Sequence, residues 1–145
     1  MTPELEALAR RAVACPRWRW MPGMRWTVQL AGGQSLADRA GRILTEWDAV
    51  DDGGRVFRLG PDALPDLTDP ATLGCLLALV REAYGSTTIY CRLSSTTRAS
   101  DGVWAWEVIG WLDPLRSPDG RGGSFRGWGY ASEAEALVAA LEAAP

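Results

Sequence analysis

The sequence contains no histidine and no lysine, and these two absences exclude several kinds of site. Without histidine there is no imidazole base, no Ser-His-Asp or Cys-His catalytic arrangement and no histidine-ligated zinc. All 15 basic residues are arginine, so an anion site must be built from guanidinium groups or backbone N–H groups.

Cysteine is scarce as well, and the acidic residues do not form a metal-binding motif. The three cysteines, Cys15, Cys75 and Cys91, have no Cys-x-x-Cys spacing, and an odd number argues against a disulfide framework. Asp62 and Asp66, with Asp69 after them, lack the close alternation of a calcium loop. No glycine-rich phosphate motif is present, and no carboxylate pair stands out. We therefore expect no metal, no cofactor and no enzymatic activity.

Length and charge limit the class of protein further. A chain of 145 residues suits one domain, so we predict a single compact domain over residues 1–145. No apolar run approaches the ~20 residues that span a bilayer, and the N-terminus has no signal-peptide pattern. The net charge of −3 argues against binding to duplex nucleic acid. The expected protein is cytoplasmic and does not contact a membrane.

Capping and turn residues predict the order of secondary structure. Helices are expected after Thr2 and after Asp69, and a last helix is expected to begin with the capping box at residues 132–135. Strands are predicted at residues 25–30, 42–50, 55–59, 87–95, 103–112 and 124–130, with loops at 31–41 and 61–69. We predict an α+β fold in which an antiparallel β-sheet carries its helices mainly on one face.

The second half of the chain has the element order of a double-stranded-RNA-binding domain. However, the last predicted helix begins with acidic residues at 132–135, where that domain carries lysines. Phosphate would be repelled there, so the sequence does not favour RNA binding.

Eight tryptophans are present, and the densest group lies among arginines at residues 17–26. Indole faces stack on planar rings, and guanidinium groups bind phosphate. In an extended segment Trp18 and Trp20 project to the same side. The predicted ligand-binding residues of this segment are Arg17, Trp18, Arg19, Trp20, Met24, Arg25 and Trp26. The alternative is that some of these tryptophans fill the core.

A second aromatic group follows in the last third of the chain. Trp104 and Trp106 alternate with smaller residues and fit a buried sheet face, which leaves Glu107 on an exposed face. Trp128 lies between two glycines, next to Arg126. Because glycine allows close approach of a backbone, we predict that Arg126 and Trp128 also bind ligand.

Three segments together resemble a widespread set of small proteins of bacteriophages and prophages. They are residues 8–24, residues 65–83 (PDLTDPATLGCLLALVREA) and residues 132–143. The resemblance covers about a third of the chain, does not extend to residues 86–129, and implies a phage origin. It transfers no active-site residues.

Size, phage origin and aromatic-arginine chemistry together suggest a sponge, a non-catalytic protein that sequesters a nucleotide-derived immune signal of the host. The expected partner is a small nucleotide-like molecule, and a homo-oligomer would help by burying it between subunits. The alternative is an inhibitor that presses an aromatic surface onto a host defence protein.

Overall fold

The computed structural model describes residues 1–28, 39–45, 48–95, 104–111 and 124–145. These residues form three helices and two antiparallel sheets, which confirms the predicted α+β class. Their contacts group the chain into two compact units, Met1–Cys75 and Leu76–Pro145. The single domain over residues 1–145 stays a prediction. Within the described ranges no helix has the length and apolar character needed to cross a membrane.

The first unit opens with helix α1 (Pro3–Ala14), which begins where the sequence predicts. The Thr2 hydroxyl accepts a hydrogen bond from the Leu5 backbone N–H at 3.3 Å, and Pro3 occupies the first helical position. Leu8 and Ala12, one turn apart, are buried. The helix therefore presents one apolar face to the core of the first unit.

Five short strands follow α1 and form one antiparallel sheet. They are β1 (Arg25–Val28), β2 (Arg39–Ile43), β3 (Asp48–Asp51), β4 (Val56–Arg58) and β5 (Leu64–Pro65). Their spatial order is β4-β3-β2-β1-β5. Among the described strands, β4 and β5 are therefore the edges of this sheet.

Part of this sheet corrects the sequence prediction. Residues 39–41 were expected in a loop and residues 42–50 in one strand, but β2 ends at Ile43 and β3 begins at Asp48. The Leu44 N–H donates to the Asp48 carbonyl at 2.9 Å, which closes the turn between them. Strand β5 was also expected in a loop, and it pairs instead with β1.

Gly41 shows why the β2 backbone can lie so close to its neighbours. It stands opposite Trp26 on β1 and Asp51 on β3. A Cβ at this position would collide with the Val50 carbonyl oxygen and lie 2.9 Å from the Trp26 Nε1. The glycine is therefore required by packing, although the sequence places it at the end of a glycine-containing stretch that looks like a loop.

The hairpin between β3 and β4 has the predicted turn at residues 51–54. One carboxylate oxygen of Asp51 accepts hydrogen bonds from the N–H groups of Gly53 at 3.1 Å and Arg55 at 2.8 Å. Gly54 has a φ of +82°, which glycine adopts without steric cost.

Helix α2 (Pro70–Tyr84) has both predicted ends. An Asp69 carboxylate oxygen accepts from the Thr72 N–H at 2.9 Å, which is an N-cap bond. At the other end Gly85 has a φ of +62°, and its N–H donates to the Glu82 carbonyl. A left-handed glycine of this kind is a common helix terminator.

The second unit contains the rest of α2, a three-stranded sheet and the last helix. The strands are β6 (Tyr90–Ser95), β7 (Trp104–Trp111) and β8 (Ser124–Tyr130), in the order β6-β7-β8. Helix α3 (Glu133–Glu142) packs against all three strands. Its buried residues are Ala134, Ala136, Leu137, Val138, Ala140 and Leu141.

The predicted capping box opens α3, with one difference in the partner of its glutamate. The Ser132 hydroxyl accepts from the Glu135 N–H at 3.1 Å, as expected. The Glu135 carboxylate accepts from the Ala131 N–H at 3.0 Å, one residue before the cap. Both bonds satisfy N–H groups near the start of the helix.

Candidate ligand-binding surfaces

Trp18 and Trp20 form an aromatic pair at the surface of the first unit. Their ring centroids are 5.5 Å apart and their planes meet at 80°, an edge-to-face arrangement. Both side chains are half-buried. The two rings therefore lie on the same side of the segment, as the spacing predicted, and each keeps part of its surface in solvent.

The Nε1 of Trp18 is buried and has no hydrogen-bond partner among the described residues. Such a donor costs about 1–3 kcal/mol relative to a paired one. An acceptor that reaches this N–H would recover that free energy.

Arginines flank the aromatic pair on the sequence. Arg17 is exposed, and the structure gives it no hydrogen bond or ion pair within the residues it describes. Arg19 is also exposed, and it has an interaction within the chain. Arg17 is therefore the cation of this segment that is available to an external anion.

Burial removes two predicted residues from the ligand surface. Trp26 is 1% exposed and Met24 is fully buried, so both belong to the core of the first unit. They flank Arg25, the first residue of β1, and side chains two apart in extended backbone share a face. Met24 and Trp26 therefore lie in the core of the first unit, away from the surface where the sequence predicted a ligand.

Arg25 is paired with carboxylates of the same unit, which neutralise its charge. Its Nη2 lies 3.2 Å from an Asp52 oxygen, and its Nε lies 3.6 Å from an Asp66 oxygen. An anionic ligand would have to displace these carboxylates. Arg25 is better described as a residue that ties β1 to the turn after β3 and to the segment before α2.

A tight turn follows the aromatic pair and fixes the end of the segment. The Met24 N–H donates to the Met21 carbonyl at 3.1 Å, and Gly23 between them has a φ of +92°. Backbone bonds from the Gly23 N–H to Ile43 and from the Ile43 N–H to Met24, each 2.9 Å, attach the turn to β2. The aromatic pair is thus anchored on its C-terminal side.

Arg42 and Asp69 hold the same turn from the other side. The Arg42 guanidinium donates to the Gly23 carbonyl at 2.8 Å and to an Asp69 oxygen at 3.1 Å. The Thr72 hydroxyl donates to Asp69 at 3.0 Å and accepts from the Arg25 N–H at 2.8 Å. This cluster joins the turn, β1, β2 and the start of α2, and only its Asp69 cap could be predicted from the sequence.

The pKa of Asp69 reports the balance of forces in this cluster. Burial by itself raises the pKa, but the hydrogen bonds from Arg42 and Thr72 outweigh it and leave the pKa below its ordinary value. The carboxyl is therefore charged at neutral pH, and its role is structural.

The second predicted group lies on β8 in the second unit, where the structure describes the backbone. The register places Arg126 opposite Ile109 and Trp128 opposite Glu107. The β7–β8 pairing is irregular between Trp106 and Glu107, where Gly129 is the extra residue, with a φ of +92°. A bulge of this kind re-aims neighbouring side chains and is common at functional sites.

Glu107 differs from its prediction, since it is buried and not exposed. Its side chain is 2% exposed, and one oxygen accepts from the Arg92 Nε at 2.6 Å. Arg92 stands opposite Glu107 on β6, which the sequence cannot reveal because cross-strand register depends on the loop between the strands. Its guanidinium is 51% exposed, and the hydrogen bond to Glu107 raises the pKa of Arg92.

Neither metal nor thiol chemistry is indicated. No group of three or more potential metal ligands occurs in the part of the chain that the structure describes. None of the three cysteines forms a disulfide within the described residues. Burial, with a smaller effect from Glu133, raises the pKa of Cys91 to about 12, so this thiol is protonated at neutral pH.

The chain was compared with known proteins by family, sequence and structure. It matches no family model, no curated protein and no solved structure.

Proposed function

We propose that this chain is a phage-encoded, non-catalytic protein that sequesters a nucleotide-derived signalling molecule of host immunity. The observation that carries the proposal is the aromatic pair, with two half-buried indole rings beside the exposed Arg17. A planar base stacks on the open ring surface while the guanidinium contacts a phosphate. The residues assigned to this role are Arg17, Trp18 and Trp20.

Edge-to-face packing and the anchored turn support a pre-formed platform. Each ring limits the motion of the other, and the turn bonds at Gly23 and Ile43 fix the segment beyond them. A ligand that binds here loses little free energy to ordering the protein. Stacking on one ring contributes about 1–3 kcal/mol per base.

The Trp18 N–H adds a polar element to this platform. Its donor lacks a partner within the described residues, so a carbonyl or phosphate oxygen of the ligand gains more there than at an already satisfied donor. Binding that reaches this group requires a small movement of the indole, because the nitrogen is covered in the free protein.

The test is a thermal-shift panel of cyclic dinucleotides, NAD and ADP-ribose derivatives on the purified protein. The proposal predicts that one member raises the melting temperature in proportion to its concentration, and that Arg17→Gln lowers this response. Arg10→Gln, at an exposed arginine on α1, is the matched control and keeps the response. Mass spectrometry after denaturation should recover that ligand unchanged, since the proposed mechanism has no chemical step.

A second candidate function has its own observation in the first unit. Leu44 and Val56 are exposed apolar side chains, and Val56 lies on the edge strand β4. An edge strand with exposed apolar side chains is suited to pairing with a strand of another protein. This favours the alternative of an inhibitor of a host defence protein. The inhibitor function would be supported if no panel member raised the melting temperature and a host protein co-purified with the wild-type chain but not with Val56→Asp.

A further inference from the structure

Two rows of residues cross the sheet of the second unit on the same face. The register aligns Arg92, Glu107 and Trp128 in one row, and Tyr90, Ile109 and Arg126 in the next. Directly opposed residues of an antiparallel sheet share a face, and rows two residues apart lie on that same face. The face therefore combines two arginine positions, one glutamate and two aromatic positions.

Arg92 is held in place by the buried Glu107. The carboxylate accepts from the Nε of Arg92 at 2.6 Å, a short charge-assisted hydrogen bond. The carboxylate is 2% exposed whereas the arginine is 51% exposed, so the pair is anchored at its inner end and open at its outer end. Arg92 has no other hydrogen bond or ion pair within the described residues.

This geometry leaves the terminal nitrogens of the guanidinium available. An arginine that bonds through Nε keeps both Nη groups, and these form the planar fork that suits a tetrahedral oxyanion. Holding the side chain beforehand reduces the entropy that a ligand must remove on binding.

The surroundings indicate what the anion is attached to. Tyr90 lies two residues before Arg92 on β6, on the same face of the sheet, and is 41% exposed. Its ring is therefore a stacking surface beside the guanidinium.

We propose that Arg92, held by Glu107 beside Tyr90, is an oxyanion-binding residue of a second site on this sheet, which takes a phosphomonoester attached to a planar ring. The phosphate accepts hydrogen bonds from the Nη groups of Arg92, and the ring lies against Tyr90. The bulge at Gly129 bends β8 next to this row. This inference stands apart from the proposed function, because neither Trp18 nor Trp20 takes part.

The experiment is an NMR titration of the arginine Nε–Hε resonances of the ¹⁵N-labelled full chain. Phenyl phosphate and adenosine monophosphate are the probes, and phenol is the control without phosphate. The Arg92 resonance, identified by its loss in Arg92→Lys, should shift saturably with a phosphate probe and not with phenol. A response to both probes means that any ring suffices; a response to the nucleotide alone identifies the base as part of the ligand.

Substitutions give the second readout. Arg92→Lys keeps the charge and removes the fork, so it should weaken phenyl phosphate or nucleotide binding by about tenfold or more. Arg58→Lys, at an exposed arginine on β4, is the matched control and should leave binding unchanged. If Arg92→Lys perturbs the fold, Arg92→Gln takes its place, both to identify the resonance and to measure binding. An Arg92 resonance that stays still in both phosphate titrations, or a folded Arg92→Lys chain that binds as well as wild type, overturns the proposal.

Discussion

Replacing Asp69 by alanine should destabilise the first unit by more than the loss of one surface charge. The Asp69 side chain is 10% exposed and accepts from the Thr72 N–H, the Thr72 hydroxyl and the Arg42 guanidinium. Loss of the N-cap costs about 0.5–2 kcal/mol. The fully buried Thr72 hydroxyl loses its acceptor, which costs about 1–3 kcal/mol more.

The expected loss in the free energy of unfolding is therefore about 2–4 kcal/mol, with some overlap between the two contributions. Urea denaturation followed by far-UV circular dichroism measures it as a shift of the midpoint. Asp69→Asn is the control, because asparagine caps a helix as well as aspartate and still accepts from Thr72. It removes mainly the ion pair with the exposed Arg42 and should cause a clearly smaller loss.

The pH dependence provides an independent check of the same cluster. The folded pKa of Asp69 lies below its unfolded value of about 3.9, so the contribution to stability is complete above that pH. It is lost as the pH falls below about 4 toward the folded pKa. Stability should therefore decline more steeply with acid in wild type than in Asp69→Ala. Parallel declines, or a loss below about 1 kcal/mol in the alanine variant, would refute this account.

Three other predictions concern packing and reactivity. Trp26→Ala should cost about 3–5 kcal/mol as a core substitution, and Trp20→Ala clearly less; equal losses in chemical denaturation would place Trp20 in the core. Gly41→Ala should destabilise the protein, because its methyl group would collide with the backbone of β3. Gly74 lies in α2 with open space around it, so Gly74→Ala should stabilise the protein by about 0.4–1 kcal/mol. Melting curves that move in the same direction for both would contradict the packing around β2. Cys91 should react with iodoacetamide at pH 8 far more slowly than free cysteine, as mass spectrometry can measure, and equal rates would contradict its pKa of about 12.

The features of the fold that the sequence could predict are those set by local signals, such as helix caps and turn residues. The caps at Thr2, Asp69 and Ser132 and the glycine at position 85 act through neighbours within four residues, and each lies where it was expected. The α-β-β-β-α order of the second half is confirmed for the same reason. Strand β5 was missed because its two residues are defined only by pairing with β1, about 40 residues away.

The candidate sites depended mostly on contacts between residues that are distant in the sequence, which local signals do not reveal. The alternation of Met24, Arg25 and Trp26 contains a strand period that points to burial of the outer two, and the prediction gave more weight to their composition. The Arg92–Glu107 pair depends on register across a long connection, which the sequence does not specify. The predictions for Trp18 and Trp20 needed only their spacing, and the shared side of their rings follows from it.

The central claim is that the aromatic pair, and not the buried indole of Trp26, meets the ligand. The direct measurement is a titration of the indole Nε1–H resonances of the ¹⁵N-labelled protein with the panel member that most raises its melting temperature. Trp18→Phe, Trp20→Phe and Trp26→Phe identify the three signals. The account predicts saturable shifts for Trp18 and Trp20 and a stationary signal for Trp26. Ligand binding that moves Trp26 and leaves the other two unchanged, or a panel that moves none of them, would contradict it.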